Sequence, residues 1–68
     1  MKPAVRVGPA AQDYLTVPEV ADLLKVSRWK VYELIRAREL ESFLVGRCRR
    51  IPASAVREMV ARLMSEVA

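Results

Sequence analysis

The stretch TVPEVADLLKVSRWKVYELIR, residues 16–36, decides the fold because it contains two helix starts separated by a short connector. At the first start, Thr16 and Glu19 are spaced so that each side chain can bond the other residue's backbone amide, and Pro18 sits in the first turn. Apolar residues then recur at helical spacing, which predicts a helix over residues 17–24 with an acidic outer face.

The second half of the stretch predicts a shorter and more basic helix. Ser27 can cap a helix over residues 28–37, and one face of that helix carries Val31, Leu34 and Ile35. A helix of about ten residues is unstable alone in water, so it must pack against the first helix. Two helices joined by so short a connector are typical of a helix-turn-helix.

The remaining sequence predicts a hairpin and a closing helix. Residues 41–45 and 48–51 are β-prone, and Gly46 and Arg47 between them can form a tight turn with a basic tip. A proline ends the second strand, and a helix follows over residues 53–66. Its apolar residues, interpreted as a stripe that faces the core, are Ala55, Val56, Met59, Val60, Leu63 and Met64.

These elements predict a mainly α fold with a small β-hairpin, in the order helix, helix, hairpin, helix. We expect them to form one domain over residues 14–68. Residues 1–13 contain two prolines and one glycine without helical or alternating periodicity. We interpret them as a flexible, mildly basic arm.

The composition argues against several kinds of function. The 68 residues carry twelve Lys plus Arg against eight Asp plus Glu, a net charge of +4. The sequence has no histidine and one cysteine, so it lacks zinc-finger ligand sets, disulfide staples and the commonest general base. We therefore expect no enzyme activity, no cofactor and no metal. Because no apolar run could span a bilayer, we expect a cytoplasmic protein without a membrane partner.

The positive charge is concentrated in the segment that holds the second helix and the hairpin. Residues 25–50 contain eight basic and three acidic side chains, a net charge of +5. Arg47, Arg49 and Arg50 crowd the hairpin turn, where their mutual repulsion is relieved if phosphates lie against them and counterions are released. This distribution favours a polyanion, double-stranded DNA above all, as the partner.

Several residues near these elements allow two interpretations. Ser27 is a helix cap whose neighbouring amides also suit a phosphate oxygen. Trp29 can pack partly into the core, or it can stay exposed and contact DNA or a protein neighbour. Tyr32 can pack its ring and leave its hydroxyl for a phosphate. Cys48 is interpreted as a small strand residue, because no histidine is present to activate it as a nucleophile.

The ordered set of motifs over residues 15–63 resembles the excisionase family of DNA-binding domains, a compact winged relative of the MerR-type helix-turn-helix. The resemblance covers 49 of the 68 residues. The matching motifs are Leu15-Thr16 before Glu19-Val20-Ala21 and Leu24, Val26-Ser27 before Val31-Tyr32 and Leu34-Ile35, and Gly46-Arg47 and Arg50-Ile51-Pro52 before a closing amphipathic helix.

The resemblance implies that the second helix lies in the DNA major groove and that the hairpin wing lies along the adjacent backbone or minor groove. The implied contacts from the helix are Ser27, Arg28, Trp29, Lys30, Tyr32 and Arg36. Those from the wing are Arg47, Arg49 and Arg50. Arginine or lysine near the start of such a helix pairs naturally with guanine acceptors in the major groove.

The same resemblance implies a recombination directionality factor of a phage or integrative element. Several copies of the chain bind side by side at an attachment site in this interpretation, bend the DNA, and help an integrase, a tyrosine recombinase, to excise rather than integrate. Two alternatives stay open. One is a small transcriptional regulator of phage or plasmid genes, and the other is a protein-interaction module whose arginines only keep it soluble.

Overall fold

The computed structural model describes residues 13–67, which form three helices and a three-stranded antiparallel sheet. The elements are β1 Tyr14–Leu15, α1 Val17–Leu24, α2 Arg28–Arg36, β2 Phe43–Val45, β3 Cys48–Pro52 and α3 Ala53–Val67. The predicted winged helix-turn-helix, with its order of helix, helix, hairpin, helix, is confirmed. Residues 1–12 of the predicted arm lie outside the described residues.

Local hydrogen bonds at the start of α1 explain why the helix begins where the sequence predicts. The Glu19 amide donates to Thr16 Oγ1 at 3.3 Å, and the Thr16 amide donates to Glu19 Oε1 at 2.8 Å. This is the predicted capping box, which satisfies amides that have no partner inside the helix. The helix ends at Lys25, which adopts a left-handed φ of 61°.

α2 begins at the predicted cap and is followed by a tight reversal of the chain. Ser27 Oγ accepts a hydrogen bond from the Lys30 amide at 3.1 Å. After the helix the chain turns through Arg38, whose φ is 63°, and the Leu40 amide donates to the Leu34 carbonyl at 3.2 Å. The reversal returns Leu40 to the core, where it is 1% exposed. Helical and strand periodicity did not predict this, because Leu40 belongs to neither kind of element.

β3 is the central strand of the sheet, with β1 on one side and β2 on the other. The sequence patterns did not predict β1, because two residues show no alternation and Leu15 pairs with Ile51, a residue 36 positions away. The first strand of the hairpin is also shorter than predicted. It begins at Phe43 instead of residue 41, because Pro52, which stands opposite residue 41 in this register, has no N–H for the ladder.

The helices and the sheet enclose one apolar core. The largest fully buried side chains are Leu40, Ile51, Met59, Val20 and Val31. No charged or polar side chain among residues 13–67 is buried. Burial of apolar surface therefore supplies the main stabilisation of this domain, and every charged group is available at the surface.

α3 extends beyond the part of the molecule that this core occupies. Val56 and Met59 are buried as predicted, but Leu63 and Met64 are 42% and 67% exposed. The predicted core-facing stripe was therefore wrong at its far end. The sheet and the other helices are too small to cover more than the first half of α3, and every described residue of the helix after Val60 is exposed.

Candidate nucleic-acid interface

α2 divides its side chains between the core and the surface. Val31 is fully buried, and Leu34 and Ile35 are half-buried against the core. Four of the predicted contact residues are exposed elsewhere on the helix, namely Arg28, Trp29, Tyr32 and Arg36. Trp29 is 64% exposed and Tyr32 is 44% exposed. Of the two interpretations of Trp29, the structure therefore supports the surface residue and not partial core packing.

Lys30, another predicted contact on α2, is engaged by an acidic neighbour. Its Nζ lies 3.0 Å from Oε1 of Glu33, one helical turn along, and both side chains are about half exposed. An exposed ion pair of this kind is worth about 0 to 1 kcal/mol, so Lys30 can exchange the carboxylate for another anion at little cost. Ser27, which caps the same end of the helix, is also exposed.

The hairpin turn consists of two residues, Gly46 and Arg47, between the paired Val45 and Cys48. Gly46 has a φ of 62°, as the first central residue of a tight hairpin turn requires, and no other atom would crowd a side chain there. Glycine is therefore needed for the backbone conformation and not for space. The turn places Arg47, which is exposed, at the tip of the wing.

Strand alternation separates the other two arginines of the wing. Arg50 stands opposite Phe43 and Arg49 opposite Leu44, and successive side chains of a strand point to opposite faces of the sheet. Arg49 donates from Nη1 to Ser42 Oγ, whereas Arg50 Nη1 donates to the Arg49 carbonyl at 2.9 Å. The wing therefore carries its arginines on both faces and at its tip, and not as the single cluster that their sequence spacing suggests.

An open groove joins the end of α2 to the hairpin. Its volume is about 560 Å³, and Arg36 of α2, Arg38 of the following turn and Arg49 of β3 all line it. The structure thus brings one predicted helix contact and one predicted wing contact onto the same surface. The other predicted contact residues are not among those that line this groove.

Two residues of this surface were not singled out by the sequence analysis. Arg38 contributed to the count of basic side chains, but it follows the helix and belongs to no periodic element. Ser42 lies just before β2, and its hydroxyl accepts the hydrogen bond from Arg49. A local pattern could not have identified Ser42, because its partner is seven positions away across the hairpin.

The remaining features of the described residues concern a metal site, a membrane-spanning helix and the pairing of the cysteine. Within residues 13–67, no group of three or more His, Cys, Asp or Glu side chains is placed to hold a metal ion. None of the helices in that range is long and apolar enough to cross a membrane. Cys48 is the first residue of β3, as its interpretation as a strand residue requires, and its thiol is free and exposed.

Comparisons with known proteins agree with this geometry. The helix-turn-helix domain family matches residues 14–64. An excisionase of Streptomyces ambofaciens is 48% identical to the chain over 54 residues, which cover 79% of this chain and 87% of that protein. The chain belongs to the excisionase family of helix-turn-helix DNA-binding proteins.

A second relative of this excisionase-family protein comes from Saccharopolyspora erythraea and bears the name "Probable excisionase". It is 44% identical over 52 residues, which cover 76% of this chain and 53% of that protein. The matched region is therefore most of the present chain but about half of that relative. No solved structure matches the chain.

Arg47 offers a test of the wing in this excisionase-family protein. If Arg47 at the wing tip contacts a phosphate and not a base, Arg47→Ala should weaken binding to all DNA sequences alike and reduce the slope of log K against log salt by about one counterion. Measuring Kd for two unrelated duplexes over a series of salt concentrations checks this expectation. An unchanged salt slope would remove the wing tip from the interface.

Proposed function

We propose that this protein is an excisionase whose copies bind cooperatively at attachment-site DNA, bend it, and direct a tyrosine integrase towards excision. In this proposal the integrase supplies the bond-breaking chemistry, and the present chain supplies DNA architecture in the cytoplasm. We retain the division into a basic arm, residues 1–13, and a DNA-binding domain, residues 14–68, as part of the proposal.

One observation carries the DNA-binding part of the proposal. Arg36 from the second helix and Arg49 from the wing line the same groove, so the helix and the hairpin offer positive charge from one continuous surface. A winged helix-turn-helix that uses both elements needs this arrangement, because the helix occupies the major groove while the wing lies on the adjacent backbone. The kinship with excisionases supports the choice of attachment-site DNA as the target.

The proposed contacts fall into two groups, those with base edges and those with backbone phosphates. On α2, exposed side chains near the start of the helix face base edges and those further along face backbone phosphates. The proposed contacts of the helix are Ser27, Arg28, Trp29, Lys30, Tyr32 and Arg36. The proposed contacts of the wing are Arg47, Arg49 and Arg50. Because the last two lie on opposite faces of β3, the wing contacts the backbone at more than one place.

The energetics of bending favour several copies over one. Smoothly bending a site of about 20 to 30 base pairs by about 40 to 90° costs of order 1 to 6 kcal/mol. A chain of 68 residues with a net charge of +4 makes few contacts against which to offset that cost. Adjacent copies share the cost of one bend, so binding of the first copy should promote binding of the next.

A gel-shift titration on the attachment-site DNA of the parent element, with and without its integrase, tests the proposal. We expect a steep, cooperative transition and a further shift when integrase is added. Bending is measured on the same complexes with DNA fragments that carry the site at different positions. The binding constant should also fall steeply with salt, by about 0.9 logarithmic units per logarithmic unit of salt for each neutralised phosphate.

Two other results would redirect the assignment. Specific binding at a promoter, without cooperativity at the attachment site and without any effect of integrase, would indicate a transcriptional regulator. Weak, salt-insensitive association with DNA would contradict DNA binding through phosphates and would favour the protein-interaction module, with Trp29 as its exposed contact. A reporter that scores excision in cells with and without this gene separates the excisionase from both.

A further inference from the structure

The groove between α2 and the hairpin is lined by both cationic and apolar side chains. Base recognition by α2 does not explain this combination. Three arginines contribute to it, Arg36, Arg38 and Arg49. Its apolar lining consists of Ile35, Leu40, Phe43 and Pro52. Among its described lining residues, Glu41 is the single acid. Guanidinium groups beside apolar side chains suit a ligand that combines an anionic group with a less polar ring.

We propose that this groove is a sugar-phosphate site, an inference that rests on the proposed DNA binding. Arg38, Arg36 and Arg49 bind one phosphodiester of the DNA backbone there, and the apolar lining packs against the flanking deoxyribose. A volume of about 560 Å³ is large enough for such a unit and lies within the range of ordinary ligand sites. Arg38 thereby gains a role that neither periodicity nor the resemblance assigns to it.

Arg49 is held in place before any ligand arrives. Its Nη1 donates to Ser42 Oγ across the hairpin, and its side chain is only partly exposed. A long side chain that is already fixed loses less rotamer freedom when it binds a phosphate. Ser42 therefore acts as a positioning residue for Arg49 and leaves the other guanidinium nitrogens for the ligand.

The backbone at Arg38 supplies an independent observation. Its φ of 63° lies in the left-handed region, where glycine would be less strained than arginine. The surrounding turn is also fixed, because the Arg38 amide donates to the Ile35 carbonyl at 3.0 Å and Arg62 Nη2 donates to the Glu39 carbonyl at 2.7 Å. Lys25 adopts the same left-handed conformation after α1, so what sets Arg38 apart is that its fixed turn holds it at the edge of the cationic groove.

An acidic protein segment would also meet these three arginines, but the position of the groove favours DNA. The groove lies between the two elements that we propose to lie on the duplex, and its lining includes a residue from each, Arg36 and Arg49. A duplex that contacts the end of α2 and the hairpin passes over it. The planar fork of a guanidinium group also matches two phosphate oxygens better than a point charge does.

Arg38→Gly tests the site, because it removes the guanidinium group and at the same time relieves the strain of the left-handed backbone conformation. The variant should keep or raise the melting temperature of the protein and yet bind DNA more weakly. Lys25→Gly is the matched control, since Lys25 has a φ of 61°, loses the same charge and does not line the groove. We expect Arg38→Gly to raise Kd about tenfold more than the control does.

A scan with neutral methylphosphonate linkages locates the phosphate. Each duplex of the scan replaces one phosphate, and the native protein should lose affinity at the position that the groove occupies. Arg38→Gly should be insensitive to the same replacement, because both changes remove one interaction. If Arg38→Gly binds DNA as Lys25→Gly does while native binding stays strongly salt-dependent, the groove has been assigned to the wrong ligand and the proposed function stands. If the native protein does not bind DNA, both proposals fail.

Discussion

Replacing Ile51 with alanine should leave the protein largely unfolded. Ile51 is fully buried in the central strand, and it stands opposite Leu15 of β1. Such a truncation costs about 2 to 5 kcal/mol, through lost burial and the cavity that remains. A single core in a domain of this size supplies about 3 to 5 kcal/mol in total, so the loss is comparable with the whole free energy of unfolding. Thermal denaturation followed by circular dichroism measures the result.

Leu44→Ala is the matched control for this prediction. Leu44 lies in the neighbouring strand β2 and is 56% exposed. Truncating it should change the free energy of unfolding by no more than about 0.5 kcal/mol, the usual range for surface positions. A cooperative transition in Ile51→Ala within a few degrees of the native one would contradict the central place of Ile51 in the core.

Arg28→Ala should weaken binding to the specific site more than it weakens binding to other DNA. Arg28 is the first residue of α2 and is exposed, and the N-terminal residues of such a helix contact base edges in the major groove. An arginine that pairs with the two acceptors of a guanine contributes about 1 to 3 kcal/mol of discrimination against other bases. Kd for the attachment-site duplex should therefore rise by about five- to 150-fold.

Arg57→Ala provides the comparison for Arg28→Ala. Arg57 is an exposed arginine of α3, and it lines a separate depression near Tyr14 and Ser54. Its removal lowers the net charge by the same amount, so any general electrostatic effect on binding appears in both variants. An equal loss of affinity for specific and unrelated duplexes in Arg28→Ala would mean that Arg28 meets a phosphate and reads no base.

The starts of α1 and α2 could be predicted because the interactions that define them are local. Thr16 and Glu19 bond each other's backbone amides three residues apart, and Ser27 accepts from the amide of Lys30 over the same distance. A capping group and its partner lie within one turn, so the residue types and their spacing are enough to predict the bond. The hairpin turn is predictable for the same reason, since Gly46 directly supplies the conformation that the turn needs.

The elements that the sequence analysis missed depend on distant partners. β1 forms because Leu15 pairs with Ile51. The local sequence around either residue does not indicate this pairing. Leu40 becomes part of the core through a reversal that follows α2. Met64 stays outside the core because no other element among residues 13–67 covers the end of α3. Burial is a property of the assembled molecule, so periodicity along one helix predicts a face but not how much of that face is covered.

The residue types and their local spacing determined that this protein has two capped helices, a glycine-based hairpin and a strongly basic middle segment. Only the tertiary structure decided that Arg36, Arg38 and Arg49 share one groove and that Ser42 holds Arg49. The physical reason is distance along the chain. Capping and turn formation act within about four residues, whereas a surface formed from a helix end, a loop and a strand exists only after the core has brought those segments together.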